Sequence, residues 1–223
     1  MKQLRQYIRK TLLTEAMKMP ADLTENMYVL IEENRAGDYF EVTINDAKPA
    51  QRYPRSGIIA ELMVGKAEDH NGLNCDGAWV IMSSEAEQGY GPLVYDIAME
   101  YVGDDGLMCD RSDVSFEAAD VWDFYLNSRP DVKAVQLDFH EKPFLTPDNM
   151  KDDCDGQVTL ARHVDRWSSM EAGFDPDDPY HNHQWMDHWS TKKYVKQGTP
   201  IMDELRMRGA IYFDRDDTGH YYF

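Results

Sequence analysis

The sequence has few cysteines, a shortage of basic residues and no long apolar run. Its 223 residues include three cysteines, and no two of them form a Cys-x-x-Cys pair, which argues against a disulfide framework and against a cysteine-based zinc site. The 23 basic residues face 41 acidic ones, and the net charge of -18 excludes a general nucleic-acid binder and repels anionic membrane surfaces. No apolar stretch approaches the roughly 20 residues that span a bilayer. The composition therefore predicts a soluble, acidic protein with reduced thiols, as in a cytosol.

Short apolar patterns along the chain predict a fold of strands and helices. The hydrophobic fraction is 42%, which a chain of this length can bury in one core. A helical pattern runs from Leu93 to Tyr101, and a second helix has Ser115 as its N-cap and ends before Pro130. Apolar runs bounded by turn residues predict six strands, over residues 27–33, 39–44, 57–64, 78–82, 107–109 and 132–137. This order predicts an α/β (α+β) fold with a mixed central sheet and crossing helices.

The two ends of the chain differ from this central part. Residues 1–19 form an amphipathic pattern with five basic residues and one acidic residue, which predicts a basic helix that ends at Pro20. This helix is expected to dock on the acidic body. Residues 139–198 have little periodicity and are interpreted as loop-rich, followed by a short helix that starts at Thr199-Pro200 and by a closing hairpin over 210–223. We therefore divide the chain into 1–19, 20–138 and 139–223.

A glycine-containing turn, Gly89-Tyr90-Gly91, lies between a predicted strand and a predicted helix. Glycine allows close approach of a ligand to the backbone, and a helix N-terminus presents unpaired N–H groups with partial positive charge, so the pattern indicates an anion site. Pro92 fits the first helical turn, where its missing N–H matters little. A tight strand-to-helix turn without a ligand is the structural alternative.

The order of strand, Gly89-x-Gly91, helix, short strand and the helix Ser115-x-x-Ala118-x-x-x-Trp122 resembles the GNAT acyltransferase superfamily. This resemblance covers roughly residues 27–138. It implies a GNAT-like sheet, acetyl-coenzyme A as the cofactor, its pyrophosphate at the glycine turn, and transfer of the acetyl group to an amine of a small molecule or a protein.

The resemblance also implies the site residues. Glu85 or Glu87 would be the general base, and Tyr125 or Tyr95 would protonate the leaving thiolate. Arg111 is the only basic residue between Lys66 and Arg129, which favours a phosphate clamp, although an ion pair with a neighbouring aspartate is the alternative. The expected cofactor contacts are Val80, Met82, Gln88, Gly89, Tyr90, Gly91, Arg111, Ser115 and Trp122.

A second resemblance concerns packaging. The stretch Met1–Ala16 is similar to the head-targeting leader of proteins packaged into tailed-phage proheads, with cleavage expected after Glu15 of Leu13-Thr14-Glu15. The string from Gly89 to Asp96 also resembles uncharacterised GNAT-like phage proteins. The alternative function is therefore a non-catalytic virion or interaction protein that contacts capsid proteins, located in the host cytoplasm or in the phage head.

Residues 175–189 combine His181, His183 and His188 with aspartates and two tryptophans. The spacing matches no strong metal signature, so no metal is predicted. Aromatic residues at this density pin a long loop to the body of a fold or form a partner-binding surface, and both interpretations stay open.

Overall fold

The computed structural model describes residues 17–46, 57–66, 77–110, 114–137, 189 and 192–214. Within these ranges the chain has an α+β fold with eight strands and three helices. The strands form one mixed sheet in the order β6-β7-β5-β4-β3-β2-β1-β8. The strands are β1 Met27–Glu33, β2 Tyr39–Asp46, β3 Ile58–Lys66, β4 Trp79–Ala86, β5 Leu107–Met108, β6 Val132–Gln136, β7 Lys192–Lys196 and β8 Ile211–Asp214, and the helices are α1 Gly91–Val102, α2 Phe116–Ser128 and α3 Pro200–Met207.

Two compact units divide the chain. Among the described residues, the first unit contains 17–46, 57–65, 81–104 and 196–214, so it holds β1, β2, most of β3 and β4, α1, α3 and β8. The second unit contains 66, 77–80, 105–110, 114–137, 189 and 192–195, so it holds the start of β4, β5, α2, β6 and most of β7.

The first unit begins with a three-stranded antiparallel meander. β1 pairs with β2 and β2 pairs with β3, both antiparallel, while β1 also pairs in parallel with β8. Asn34 closes the first turn, since its side-chain oxygen accepts hydrogen bonds from the N–H groups of Gly37, Asp38 and Tyr39. β2 is buried on both faces from Phe40 to Asn45, with apolar side chains at Phe40, Val42 and Ile44 and polar side chains between them, as the two-residue period of a strand separates them.

Helix α1 is buried from Pro92 to Glu100 in the first unit. Near its end, the Tyr101 ring contacts the Phe40 ring edge-on, with centroids 4.8 Å apart, and the Tyr101 hydroxyl donates to Glu33 Oε2 at 3.1 Å. An edge-to-face pair adds about 1 kcal/mol beyond the area it buries. These contacts hold α1 against the β1–β2 hairpin.

The second unit is built around buried aromatic side chains. Trp122 and Tyr125 of α2 pack against Tyr194 of β7, with ring centroids 4.9 Å and 6.2 Å from the Tyr194 ring. The Tyr194 hydroxyl donates to the carbonyl of Trp189 at 3.0 Å. In this unit, β4 and β5 pair in parallel at two positions, and β5 pairs antiparallel with β7.

The structure confirms the mixed sheet and the six strands predicted before residue 138. It corrects two expectations. Residues 192–196, interpreted as loop, form β7, because lysines mask the strand pattern of Lys-Lys-Tyr-Val-Lys although Lys193 and Lys196 are buried. Residues 17–19, predicted to end a helix, are not helical, and Met19 has the extended backbone that a residue before proline favours. The rest of the predicted N-terminal helix and the second strand of the closing hairpin lie outside the described residues.

Candidate functional site

The glycine turn connects β4 to α1 in the first unit. The Glu87 N–H donates to the carbonyl of Ile59 at 2.8 Å, and the Tyr90 N–H donates to the carbonyl of Glu87 at 3.1 Å. Gly89 has φ of +89°, a conformation that side chains disfavour, so glycine is needed there. The turn is therefore fixed by its own hydrogen bonds and by β3.

Three amides of this turn have no hydrogen-bond acceptor among the described residues. None of the described residues accepts a hydrogen bond from the N–H groups of Gly89, Gly91 or Leu93, and Pro92 has no N–H. A Cβ at Gly91 would meet nothing nearer than the Ala86 side chain at 4.0 Å. Within the described part of the chain, the glycine turn and the start of α1 therefore present N–H groups without acceptors beside an open glycine position, an arrangement that suits an anionic group.

The charges around the turn are mixed. Glu85, Glu87 and Gln88 are exposed, so the two carboxylates are in contact with solvent. Lys18 lies beside the turn, because its N–H donates to the carbonyl of Gly89 at 2.9 Å and its Nζ is 6.0 Å from the centre of the Tyr90 ring. The sequence predicts Lys18 in the N-terminal helix, so its contact with Gly89 was not predicted. Its place directly before Met19-Pro20, where a helix is disfavoured, was the available signal.

Tyr90 itself is a structural part of the turn. Its side chain is buried, and its hydroxyl contacts Met27 Sδ at 3.8 Å. Burial raises the pKa of the Tyr90 phenol above its ordinary value, and the negative charges of Asp22, Glu87 and Asp46 raise this pKa further. The Tyr90 phenol therefore stays protonated at neutral pH.

A second hydroxyl pair lies in the same unit. The Ser84 Oγ and the Tyr95 hydroxyl are 3.1 Å apart, which joins the end of β4 to the first half of α1. Tyr95 is buried at 4% exposure, whereas Ser84 is exposed. The Tyr95 hydroxyl on α1 is thus hydrogen-bonded to the solvent-exposed side chain of Ser84.

The predicted site residues are distributed over both units. Val80, in the second unit, is buried in an apolar cluster with Ala78, Met108 and Leu137. Arg111 lies outside the described residues, as do the predicted cleavage site at Glu15 and the histidines of the 175–189 segment. The first unit holds Met82, Glu85, Glu87, Gln88, Gly89, Tyr90 and Gly91, and the second holds Val80, Ser115, Trp122 and Tyr125.

The predicted residues on α2 have structural partners. The Ser115 hydroxyl accepts from the Ala118 N–H at 3.1 Å, so it is the predicted N-cap. Trp122 and Tyr125 are each 1% exposed and pack with Tyr194. Burial also raises the pKa of Tyr194 well above its ordinary value, with smaller contributions from Cys109 and Asp123.

A group of charged side chains that the sequence analysis missed lies in the core of the first unit. Lys196 Nζ is 3.3 Å from Asp96 Oδ2 and 2.9 Å from Glu100 Oε1, and each of the three side chains is at most 1% exposed. Glu100 also accepts the N–H groups of Ile201 and Met202, at 3.1 Å and 2.8 Å. We call Lys196, Asp96 and Glu100 the buried charged cluster. Its only sequence signal was an acidic pair one helical turn apart in an apolar helix.

The described residues offer neither a metal site nor a membrane span. They contain no group of three or more His, Cys, Asp or Glu residues arranged to hold a metal ion. None of the helices within the described ranges is long and apolar enough to cross a membrane.

Comparison with known protein families, with curated proteins and with solved structures found no match to this chain.

Proposed function

We propose that this protein is a GNAT-like acyl-coenzyme A-binding protein that transfers an acetyl group to an amine. The observation that carries the proposal is the glycine turn, where the N–H groups of Gly89, Gly91 and Leu93 find no acceptor among the described residues. Donors of this kind at the N-terminus of a twelve-residue helix suit the diphosphate of coenzyme A. The open space at Gly91 is compatible with close approach of that diphosphate.

The order of elements around the turn supports the same proposal. β4 precedes the glycine turn and β5 follows α1, as the resemblance to acetyltransferases requires. β4 and β5 pair in parallel only at Trp79–Leu107 and Val80–Met108, and β4 continues to Ala86 beyond the last paired position. Backbone groups of β4 after Val80 are therefore free of pairing with β5.

Bound acetyl-coenzyme A would supply the acetyl group as a thioester. The residues of the chain would position the acceptor amine and exchange protons with it. Glu85 and Glu87 are exposed at the end of β4 and in the turn, so an approaching amine can reach either carboxylate, and we assign the role of base to one of them. We assign Tyr95, whose hydroxyl is 3.1 Å from the Ser84 Oγ, as the proton donor for the leaving thiolate. Tyr95 is preferred to Tyr125 for this role because its hydroxyl is hydrogen-bonded to the exposed Ser84, whereas Tyr125 packs against the Tyr194 ring in the second unit.

Calorimetric titration with acetyl-coenzyme A tests the binding step. We expect saturable binding to the unaltered protein and its loss in Gly91→Glu, which adds bulk and negative charge beside the donors. Gly91→Ala is the steric control, because its Cβ has room, and Met207→Glu is the charge control, because Met207 is 82% exposed on α3. The absence of heat at millimolar ligand, or equal binding by Gly91→Glu, would overturn the proposal.

The role of the carboxylates is tested separately. Glu87→Gln removes a negative charge from the turn, so we expect tighter binding of acetyl-coenzyme A, with a difference that shrinks as salt is added. Release of free thiol in the presence of a panel of primary amines measures transfer. If acetyl-coenzyme A binds but none of Glu85→Gln, Glu87→Gln and Tyr95→Phe lowers kcat, the assigned proton transfers are wrong. If acetyl-coenzyme A does not bind, the acetyltransferase proposal is wrong.

A further inference from the structure

The buried charged cluster has the geometry of an activated nucleophile. The Lys196 amine lies within hydrogen-bond distance of the Glu100 carboxylate and 3.3 Å from an oxygen of Asp96. A nucleophile beside a base that is itself held by a third group is the arrangement found where covalent bonds form. Here the third group is the N-terminus of α3, whose Ile201 and Met202 N–H groups bind Glu100.

We propose that Lys196 and Asp96 form an intramolecular isopeptide bond, with Glu100 carrying the proton. This inference is independent of the acetyltransferase proposal. It assigns a covalent modification site to the core of the first unit.

The reaction balances without any co-reactant. A proton moves from the Lys196 ammonium to the Asp96 carboxylate by way of Glu100, which leaves a neutral amine and a neutral acid. The amine nitrogen then attacks Cγ of Asp96, the bond from Cγ to the protonated oxygen breaks, and Glu100 takes the amine proton and delivers it to the departing hydroxyl. The products are one amide and one water molecule, and no atom is oxidised or reduced.

Burial favours this condensation. The Lys196 and Asp96 side chains are each 1% exposed, so little water hydrates their charges or is available to hydrolyse the amide. Removing an ammonium and a carboxylate from water is costly, and condensation replaces both charges with a neutral amide. Groups held this close also react as if at very high concentration, with effective molarities of about 10⁵–10⁸ M in well-oriented cases.

The same contacts distinguish the two carboxylates. Glu100 accepts the N–H groups of Ile201 and Met202 at the N-terminus of α3, and these hydrogen bonds fix the position of its carboxylate beside the Lys196 amine. Asp96 lies one turn earlier on α1, on the same face of the helix, and its Oδ2 is 3.3 Å from Lys196 Nζ, so it is assigned as the carboxyl group that is attacked. The cluster carries one positive and two negative charges, so the negative charge that remains after condensation is the one on Glu100.

Intact mass spectrometry of the denatured full-length protein tests the proposal without any variant. We expect a mass lower than the sequence mass by one water molecule, and a digest containing one branched peptide that joins Lys196 to Asp96. A mixture of both masses that moves to the lower mass during incubation also supports the bond. A mass equal to that of the sequence after prolonged incubation overturns it.

Two controls separate this bond from other losses of water. Lys196→Arg keeps the positive charge and removes the nucleophilic amine, and Glu100→Gln keeps the shape of the side chain and removes the base. We expect each variant to have the mass calculated from its own sequence, without loss of water. A loss of water that persists in Lys196→Arg, such as a cyclic imide at Asp105-Gly106, or a branched peptide joined at Glu100 instead of Asp96, would contradict the assignment.

Discussion

Replacement of Trp122 by alanine should strongly destabilise the protein. The Trp122 side chain is 1% exposed and stacks at a tilt on Tyr194, with centroids 4.9 Å apart. A buried aromatic side chain removes about 150–250 Å² from water. At about 25 cal/mol per Å² this area corresponds to roughly 4–6 kcal/mol, and the usual cost of a buried Trp→Ala change is about 3–5 kcal/mol. We expect a loss of about 3–5 kcal/mol in the free energy of unfolding.

Urea unfolding followed by far-UV circular dichroism measures this change without relying on the fluorescence of the removed residue. Met207→Ala is the matched control, since Met207 is 82% exposed, and it should change the free energy of unfolding by less than about 0.5 kcal/mol. A loss below about 1 kcal/mol for Trp122→Ala would refute the packing argument. Trp122→Phe should keep the affinity for acetyl-coenzyme A, and a loss of affinity at unchanged stability would show that this ring contacts the ligand instead.

Three further changes test separate parts of the structure. Gly209→Ala should cost about 1 kcal/mol for its positive φ alone, because a Cβ there meets nothing within 4 Å. Gly106→Ala should cost about 1–3 kcal/mol more, because its Cβ would lie 3.1 Å from side-chain atoms of Lys193 and Val195. Equal losses in urea unfolding would contradict this. Ser115→Ala should lower the free energy of unfolding by about 1 kcal/mol through loss of the cap on α2, and Ser115→Asp should restore it. The fold raises the pKa of Tyr194 above its ordinary value of 10.0, so the free energy of unfolding should fall as pH rises above that value. This group alone should lower it by at most about 1.4 kcal/mol per pH unit. In Tyr194→Phe, the free energy of unfolding should fall less steeply with pH over the same range.

The strands and helices that could be predicted are those whose signals lie in residues close together in the sequence. The β1–β2 hairpin has apolar runs on both sides of Asn34-Arg-Ala-Gly-Asp, and Ser115 caps α2 through its own local contact with the Ala118 N–H. β7 was not predicted because Lys193 and Lys196 are buried only through contacts with distant parts of the chain. The parallel pairing of β8 with β1 joins distant parts of the chain, and no local pattern encodes it.

In the candidate site too, local motifs could be predicted from the sequence and contacts between distant residues could not. The glycine turn is a local motif, and its position before α1 was predicted from the sequence. The buried charged cluster joins residues of α1 to Lys196, far away in the sequence, so it emerged only from the fold. The contact of Lys18 with Gly89 likewise needed the structure.

The most direct test of the central claim is an NMR titration that follows the backbone amides of the glycine turn. On addition of acetyl-coenzyme A, the amide resonances of Gly89, Gly91 and Leu93 should shift together and saturate, because these N–H groups gain a diphosphate acceptor. Pantetheine, which lacks the diphosphate, should leave them in place. Amide signals of the turn that stay unchanged at saturating acetyl-coenzyme A, or that respond equally to pantetheine, would contradict the account.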